Sequence, residues 1–548
     1  MEQIDYSTKR CLVIEDRRPF LMLLRGLLQT LGSKKISIEP SAESALKMCK
    51  QKSFDIVVCD LHLGANRKNG FEFLEEVRTN NLIRPSTVFI MISGDSARTM
   101  VLGSLEKQPD DYLVKPFSQA QLNARIGRAM KRRTALASLY SQIDHKKYTL
   151  SIETCKHFLE TEPRYTNHLL QLLVKLYWKT ENYNAAEKIL KDVIEQRPIH
   201  WAVCSMAKTH LLQKRYAKAI ELAKQVIESS VNTVEAYDII AEAYLRDNKK
   251  PEALRYIMDA VERSPMSIER HFKVSEIARE NGDYSQAMNS AKAIYELSQR
   301  SVHRNVNHVC GYIRSLLDLA DNSEKQSDKN RHLQETLLTI QRVQNAESNL
   351  PGEEDFNFEI FESVVQARML NIEGKKTEAK KSFEETQIQI ERHFSDYPLA
   401  LAPDSMKLMF EFGEYEEAAK LVDVIQTNQD KIDPSVIHLL NSELSGAKEK
   451  QKLYVKHNKL GIELYSSGKF SEALQEFTAA KKVSQLNINV NLNMLQCLAK
   501  LIKMTKKPDP EHLIQLKELY RFVNDMPLKD AHKTKFVNMR EELESILG

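Results

Sequence analysis

Apolar and polar positions along this chain fall into two regimes. Over the first 125 or so residues, short apolar runs alternate with stretches of helical period. The runs are Cys11-Leu12-Val13-Ile14, Phe54-Asp55-Ile56-Val57-Val58-Cys59-Asp60, Val88-Phe89-Ile90-Met91-Ile92-Ser93 and Tyr112-Leu113-Val114. Strand-length runs separated by helical patterns predict a parallel sheet of the doubly wound α/β class. Beyond them strand signals vanish, glycine is sparse, and amphipathic helical periodicity dominates.

Within the helical part small residues recur at a fixed step. Ala186, Ala219, Ala253 and Ala287 are spaced by 33, 34 and 34 residues, and Val174, Ala207, Ala241 and Ser275 stand twelve residues before them. Tyr183, Tyr216 and Tyr284 precede three of the alanines, and Pro198 and Pro265 punctuate repeat ends. A period of about 34 residues built from two helices resembles a tetratricopeptide-repeat solenoid, whose small residues let paired helices approach closely. Tyr148, Ser151, Phe158 and Pro163 read as the second helix of an earlier repeat. Ala367 with Ala379, and Met406 with Ala418, keep the twelve-residue step, and a clean unit comes late at Leu460-Gly461, Gly468, Phe470, Ala473, Phe477 and Ala480. The polar run from Asp321 to Asn330 predicts an exposed loop, and Leu350 to Asp355 a second break. The expected organisation is a sheet domain over 1–125, a repeat block over 126–300, irregular helical repeats over 301–450, and a final repeat with capping helices over 451–548. Terminal repeats need a polar outer face.

The candidate chemistry sits where the apolar runs end. Asp60 closes one run, Glu15-Asp16 another, Ser93 a third, and Lys115-Pro116 follows the fourth. Parallel sheets bind ligands beyond the carboxyl ends of their strands. An Asp carboxylate can act as a nucleophile and form an aspartyl phosphate. Magnesium takes hard oxygen ligands, usually one or two carboxylates with phosphate and water. Lys115 can neutralise a phosphate oxygen, and the Ser93 hydroxyl can donate to another.

With Glu15-Asp16, Asp60, Ser93, Tyr112 and Lys115-Pro116-Phe117 in place, the first 125 residues resemble the receiver domain of two-component response regulators. The resemblance implies a flavodoxin-like fold, and that Asp60 accepts phosphate from a histidine kinase or phosphotransfer protein. It implies that Glu15, Asp16 and Asp60 hold Mg2+, that Ser93 and Tyr112 form a switch pair, and that the Lys115–Pro116 bond is cis. The loop after Asp60 departs from the family. It is longer, has Gly64 where Pro is usual, and carries His62 and Arg67.

Composition narrows the rest. A formal net charge of +4 over 548 residues implies no strong polyanion affinity. Seven dispersed cysteines without a CxxC pair suit free thiols in a reducing cytoplasm. No signal peptide and no apolar stretch of about 20 residues is evident, so a soluble cytoplasmic protein off the membrane is expected. No Gly-rich phosphate loop, nucleophile elbow, HExxH spacing or helix-turn-helix appears, and the slow self-dephosphorylation that the receiver resemblance implies serves a switch, so the protein is not read as an enzyme. Repeat arrays bind partners on a concave face formed by first helices. The candidate groove residues are Lys175, Trp178, Trp201, Lys208 and Tyr465, facing an unidentified protein partner. Gln171 and Lys175, Cys204 and Lys208, then Asp238 and Glu242 do not match a carboxylate clamp. The basic cluster Arg125, Arg128, Lys131, Arg132 and Arg133 suits the end of a helix, where cations meet the dipole. Output through protein contact is therefore the first reading, by changed receiver docking or a receiver homodimer. A nucleic-acid-binding regulator of transcription or RNA, with an unrecognised output element, is the alternative.

Overall fold

Period-two alternation inside the buried runs builds the sheet. The computed structural model describes residues 5–64, 67–94, 109–229, 233–301, 304–346, 356–432, 434–504 and 509–547. Strands β1 (Arg10–Ile14), β2 (Lys35–Glu39), β3 (Ile56–Asp60), β4 (Val88–Ser93) and β5 (Asp111–Val114) form one parallel sheet in the order β2-β1-β3-β4-β5. Cys11, Val13, Ile56, Val58, Ile90 and Ile92 face one side, where they pack on α1 (Arg18–Thr30) and α4 (Gln119–Ala135). Leu12, Ile14, Val57, Cys59, Phe89 and Met91 face the other and pack on α2 (Ala42–Gln51) and α3 (Gly70–Thr79). Helices on both faces leave the strands dry, which is why they read as continuous apolar runs.

The chain divides into two compact units, Met1–Ile277 with Ala293–Arg304 and Ala278–Lys292 with Asn305–Gly548. In the first, α4 passes at Leu136 directly into α5 (Ala137–Asp144), followed by α6 (Tyr148–Thr161), α7 (Thr166–Lys179), α8 (Tyr183–Gln196), α9 (His200–Leu212), α10 (Tyr216–Ser229), α11 (Val234–Arg246), α12 (Lys250–Arg263) and α13 (Ile268–Glu280), whose residues from Ala278 onward belong to the second unit. Ala186, Ala207, Ala219 and Ala253 are wholly buried, and Val174 and Ala241 nearly so. Each pair turns through a left-handed residue, Glu181, Lys214 and Asn248 at φ of 57°, 63° and 59°. The next residue's N–H then reaches back to the preceding helix, as in Asn182 N to Tyr177 O at 2.9 Å and Arg215 N to His210 O at 2.8 Å.

Later helices are α14 (Tyr284–Ser298), α15 (Val306–Asp321), α16 (Gln326–Ala346), α17 (Phe358–Ile372), α18 (Lys376–His393), α19 (Ala402–Phe412), α20 (Tyr415–Thr427), α21 (Pro434–Ser466), α22 (Phe470–Val483), α23 (Ile488–Met504), α24 (Pro510–Asn524) and α25 (Asp530–Leu547). Gly461 shows why small residues recur. A Cβ there would stand 2.6 Å from the Phe477 ring. The predicted loop from Asp321 to Asn330 is shorter than expected: α16 begins at Gln326, and its polar residues lie along an exposed helix face. The break at Leu350–Asp355 lies outside the described residues. Asn487 serves the start of α23, its Oδ1 accepting from Val490 N at 3.0 Å.

The interior of the second unit carries charge. Arg314 donates to Asp404 at 2.8 Å, Arg368 reaches Asp404 at 2.5 Å and Asp318 at 2.9 Å, and Arg279 pairs with Asp318. All five side chains are buried. Lys380, fully buried, bridges Glu384 at 2.6 Å and Glu414 at 2.9 Å. Among the described residues no helix is long and apolar enough to cross a membrane.

Candidate functional site

The strand order reverses between β1 and β3, so the loops leaving their carboxyl ends diverge and open a crevice there. Glu15 follows β1, its N–H bonded to Glu39 O at 3.1 Å, and Asp16 comes next. Asp60 ends β3. One carboxylate oxygen from each of Glu15, Asp16 and Asp60 lies within 4.8 Å of the others. Glu15 and Asp60 are buried, and Asp16 opens to solvent.

Lys115 arrives from the end of β5. Its Nζ stands 2.7 Å from Glu15 Oε2 and 2.7 Å from Asp60 Oδ2. One ammonium therefore bridges two of the three carboxyl groups. Burial pushes the Glu15 carboxyl up to about 7, with nearby Asp60 adding to the rise and the Lys115 hydrogen bond opposing it. Asp60 Oδ1 is buried and has no hydrogen-bond partner among the described residues. An all-oxygen, anion-rich set with an orphaned buried oxygen fits a hard divalent cation such as Mg2+.

Of the remaining predicted residues, Ser93 and Lys115 stand at strand ends, whereas Tyr112 lies within β5. Ser93 ends β4 opposite Val114 in the register, and Lys115 N donates to Ser93 O at 2.8 Å. The Lys115–Pro116 peptide is cis. The Tyr112 ring leans on Phe71 at 6.4 Å between centroids. Its hydroxyl is buried without a hydrogen-bond partner among the described residues, and burial raises its pKa. In the lengthened loop, His62 is exposed, while Gly64, at φ 101°, sits between the Arg67 and Asp16 side chains.

Two features escaped the sequence reading. The first is Phe20, in the opening turn of α1, whose ring carries the Lys115 ammonium 4.2 Å from its centroid. The second is the junction behind β4 and β5. Asp110 takes Arg133 Nε at 2.7 Å and Arg132 Nη2 at 3.3 Å, while Asp111 takes Arg125 at 2.8 Å. The basic cluster at the end of α4 is thus largely engaged by two aspartates at the head of β5. Arg133 also lies 4.5 Å over the Tyr140 ring, and Tyr140 OH meets His168 Nε2 of α7 at 2.8 Å.

Of the groove candidates, Lys208 lies 4.8 Å over the Trp178 ring, and Trp178 Nε1 donates to Thr209 Oγ1 at 3.0 Å. Trp178 and Trp201 both pack, half-buried, against one core cluster with Leu169, Leu173 and Tyr177. Lys175 is half-buried on α7. Lys208 pairs with Glu235 at 3.4 Å, Asp238 with Arg270 at 2.8 Å and Glu242 with Lys273 at 3.0 Å, so charge along successive first helices is matched internally. Tyr465, in the other unit, stacks edge-on to Phe470 at 5.1 Å.

Residues 11–127 match the response regulator receiver domain family, and residues 148–309 match the ChAPs family (Chs5p-Arf1p-binding proteins). The alkaline phosphatase synthesis transcriptional regulatory protein PhoP of Bacillus subtilis is 32% identical over 135 residues, 25% of this chain and 53% of that protein. The chain thus spans about half the length of that relative. Chemotaxis protein CheY-3 of Vibrio cholerae is 25% identical over 132 residues, 24% of this chain and 99% of that protein. Among solved structures, a BeF3-activated DrrB receiver domain matches at 26% identity and TM-score 0.20, covering 22% of this chain and 97% of that one. The C-terminal part of a TPR repeat-containing protein from Cytophaga hutchinsonii matches at 13% identity and TM-score 0.34, covering 47% and 96%.

Proposed function

We propose that the receiver domain at the head of this chain is a phosphorylation switch, with Asp60 the phosphoacceptor and the helical repeats the output. The observation that carries this reading is the single ammonium of Lys115 shared at 2.7 Å between Glu15 and Asp60, inside a three-carboxylate cluster. An Asp60 carboxylate oxygen attacks the phosphorus of a phosphohistidine on a histidine kinase or phosphotransfer protein. A P–O bond forms, the P–N bond breaks, and the leaving imidazole keeps the electron pair. Phosphoryl transfer asks for positioning and charge neutralisation more than covalent help from the protein. Glu15, Asp16 and Asp60 would hold Mg2+, which when bound offsets charge on the transferring phosphoryl group. Lys115 then turns from the bare carboxylate toward a phosphoryl oxygen, and the Ser93 hydroxyl donates to another.

The output reading rests on the repeats. Phosphate at Asp60 biases Ser93 and Tyr112, and the change reaches the repeats through α4, which joins them without a flexible linker. The repeats then present protein-binding surfaces to a partner, with Lys175, Trp178, Trp201 and Lys208 as candidate contacts in the first unit and Tyr465, separately, in the second. Incubation of the full chain with radiolabelled acetyl phosphate and Mg2+ tests the first step. About one acid-stable, hydroxylamine-labile phosphate per chain is expected for wild type and none for Asp60→Asn. Equal labelling of both would overturn the assignment. Identical partner binding by wild type and Asp60→Ala under phosphorylating conditions would remove the link to output.

A further inference from the structure

The Lys115 ammonium is held from three directions. Two are the carboxylates already described, at 2.7 Å each. The third is the face of Phe20, with the nitrogen 4.2 Å from the ring centroid. Phe20 is itself braced by Phe117, edge to face at 5.9 Å, and Phe117 lies two residues beyond Lys115. The two rings bracket the lysine between the start of α1 and the loop after β5. A cation over an aromatic face is attracted by the ring quadrupole, more strongly where water is kept away. Lys115 is mostly shielded, its side chain 18% exposed.

We propose that Phe20 is a positioning residue for phosphoryl acceptance: its ring holds the Lys115 ammonium over the crevice, through a cation–π contact, while the lysine exchanges a carboxylate for a phosphoryl oxygen. The inference rests on the phosphoacceptor reading above. A flexible lysine chain loses its aim when one of its three restraints is removed. The aromatic face is the restraint that does not compete for the same protons as the phosphoryl group.

The test uses the full chain with Phe20→Leu and Phe20→Tyr. Leucine keeps apolar bulk without a quadrupole, and tyrosine keeps the face. Acetyl phosphate labelling at saturating Mg2+ should slow about five- to tenfold in the leucine variant and stay near wild type in the tyrosine variant. In metal-free protein, reductive methylation of Lys115, read by mass spectrometry, should rise severalfold in Phe20→Leu alone. If the two variants behave alike in both measurements, the ring only fills space and the proposal falls. If wild type takes no phosphate, the phosphoacceptor reading falls instead, and the methylation arm alone decides whether Phe20 holds the lysine.

Discussion

Asp60 is fixed by its backbone neighbours as much as by its side chain. Gly70, at the start of α3, donates its N–H to Leu61 O at 2.9 Å. A Cβ at Gly70 would lie 2.4 Å from Asp60 O and 2.8 Å from Met91 Sδ. The first of these is backbone and cannot swing away. Gly70→Ala must therefore push α3 off the end of β3, at about 1–3 kcal/mol by the usual cost of overpacking. Urea denaturation should register that loss, and calorimetric Mg2+ titration should show weaker binding because the Asp60 carboxylate moves with its backbone. Unchanged Mg2+ affinity would mean that the strand end yields without moving the site. Glu15, Asp16, Asp60, Ser93 and Lys115 were legible because each ends or follows an apolar run, and their side-chain chemistry is informative by itself. Gly70 and Phe20 were not. Their contributions are a backbone approach and a ring-to-ammonium distance, both set only when α3 and α1 fold back over the strand ends.

Elements differ in how openly they declare themselves. The repeats before residue 300 were readable because alanines mark the helix crossings. The turns between those helices were silent, since Glu181, Lys214 and Asn248 adopt the left-handed conformation without being glycine. The middle helices hid for another reason: Arg314, Asp318, Arg368 and Asp404 occupy interior positions that an apolar pattern would assign to leucine. Arg368 joins two aspartates; burial alone would raise the Asp318 carboxyl, but the Arg279, Arg368 and Lys407 charges outweigh it and hold Asp318 well below the usual carboxylate range. Arg368→Met would leave Asp404 to Arg314 and Asp318 to Arg279, each short of a buried partner, and is expected to cost about 3–5 kcal/mol, seen as a lower urea midpoint by circular dichroism. Lys420→Ala, which breaks an exposed pair with Glu417, should stay within about 0.5 kcal/mol. At the junction, burial first and then the Arg132, Lys175 and Arg133 charges lower the His168 pKa to about 4. A folded-state value below the ordinary 6.5 means that protons favour the unfolded chain. The stability is complete above about pH 6.5 and is lost as pH falls toward 4. Trp178 and Trp201 are the only tryptophans, and Trp178 shares α7 with His168. Their fluorescence in urea titrations should report an unfolding free energy that falls between pH 7 and pH 4.5, by ~1–3 kcal/mol. His168→Gln, which retains a partner for Tyr140, should flatten that dependence.

For the molecule as a whole, a change at Asp60 becomes useful only if the repeats can feel it. Here the path is short and stiff. β5 carries Asp110 and Asp111 at its head and Lys115 at its foot, so both ends of one strand are pinned, by α4 arginines at one end and the acidic crevice at the other. α4 continues through the buried Leu136 and Leu139 into the core of the first repeats, and Tyr140 touches His168 on α7. A small displacement of β5 must therefore be absorbed by α4, α5 and α7 together, because packed elements shift between discrete arrangements rather than bending. The buried ion pairs among α15, α17 and α19 give the second unit the opposite character, since rearranging them would expose unpaired charge. Hydrogen exchange on the full chain, with and without Mg2+ and fluoroberyllate as a phosphoryl stand-in, separates these behaviours. Protection should change at 109–117 and continue through 119–179, with 306–321 and 402–412 unaltered. A change that stops at Phe117 would leave the repeats uncoupled from the acidic crevice, and the switch would need a partner chain, rather than α4, to read it.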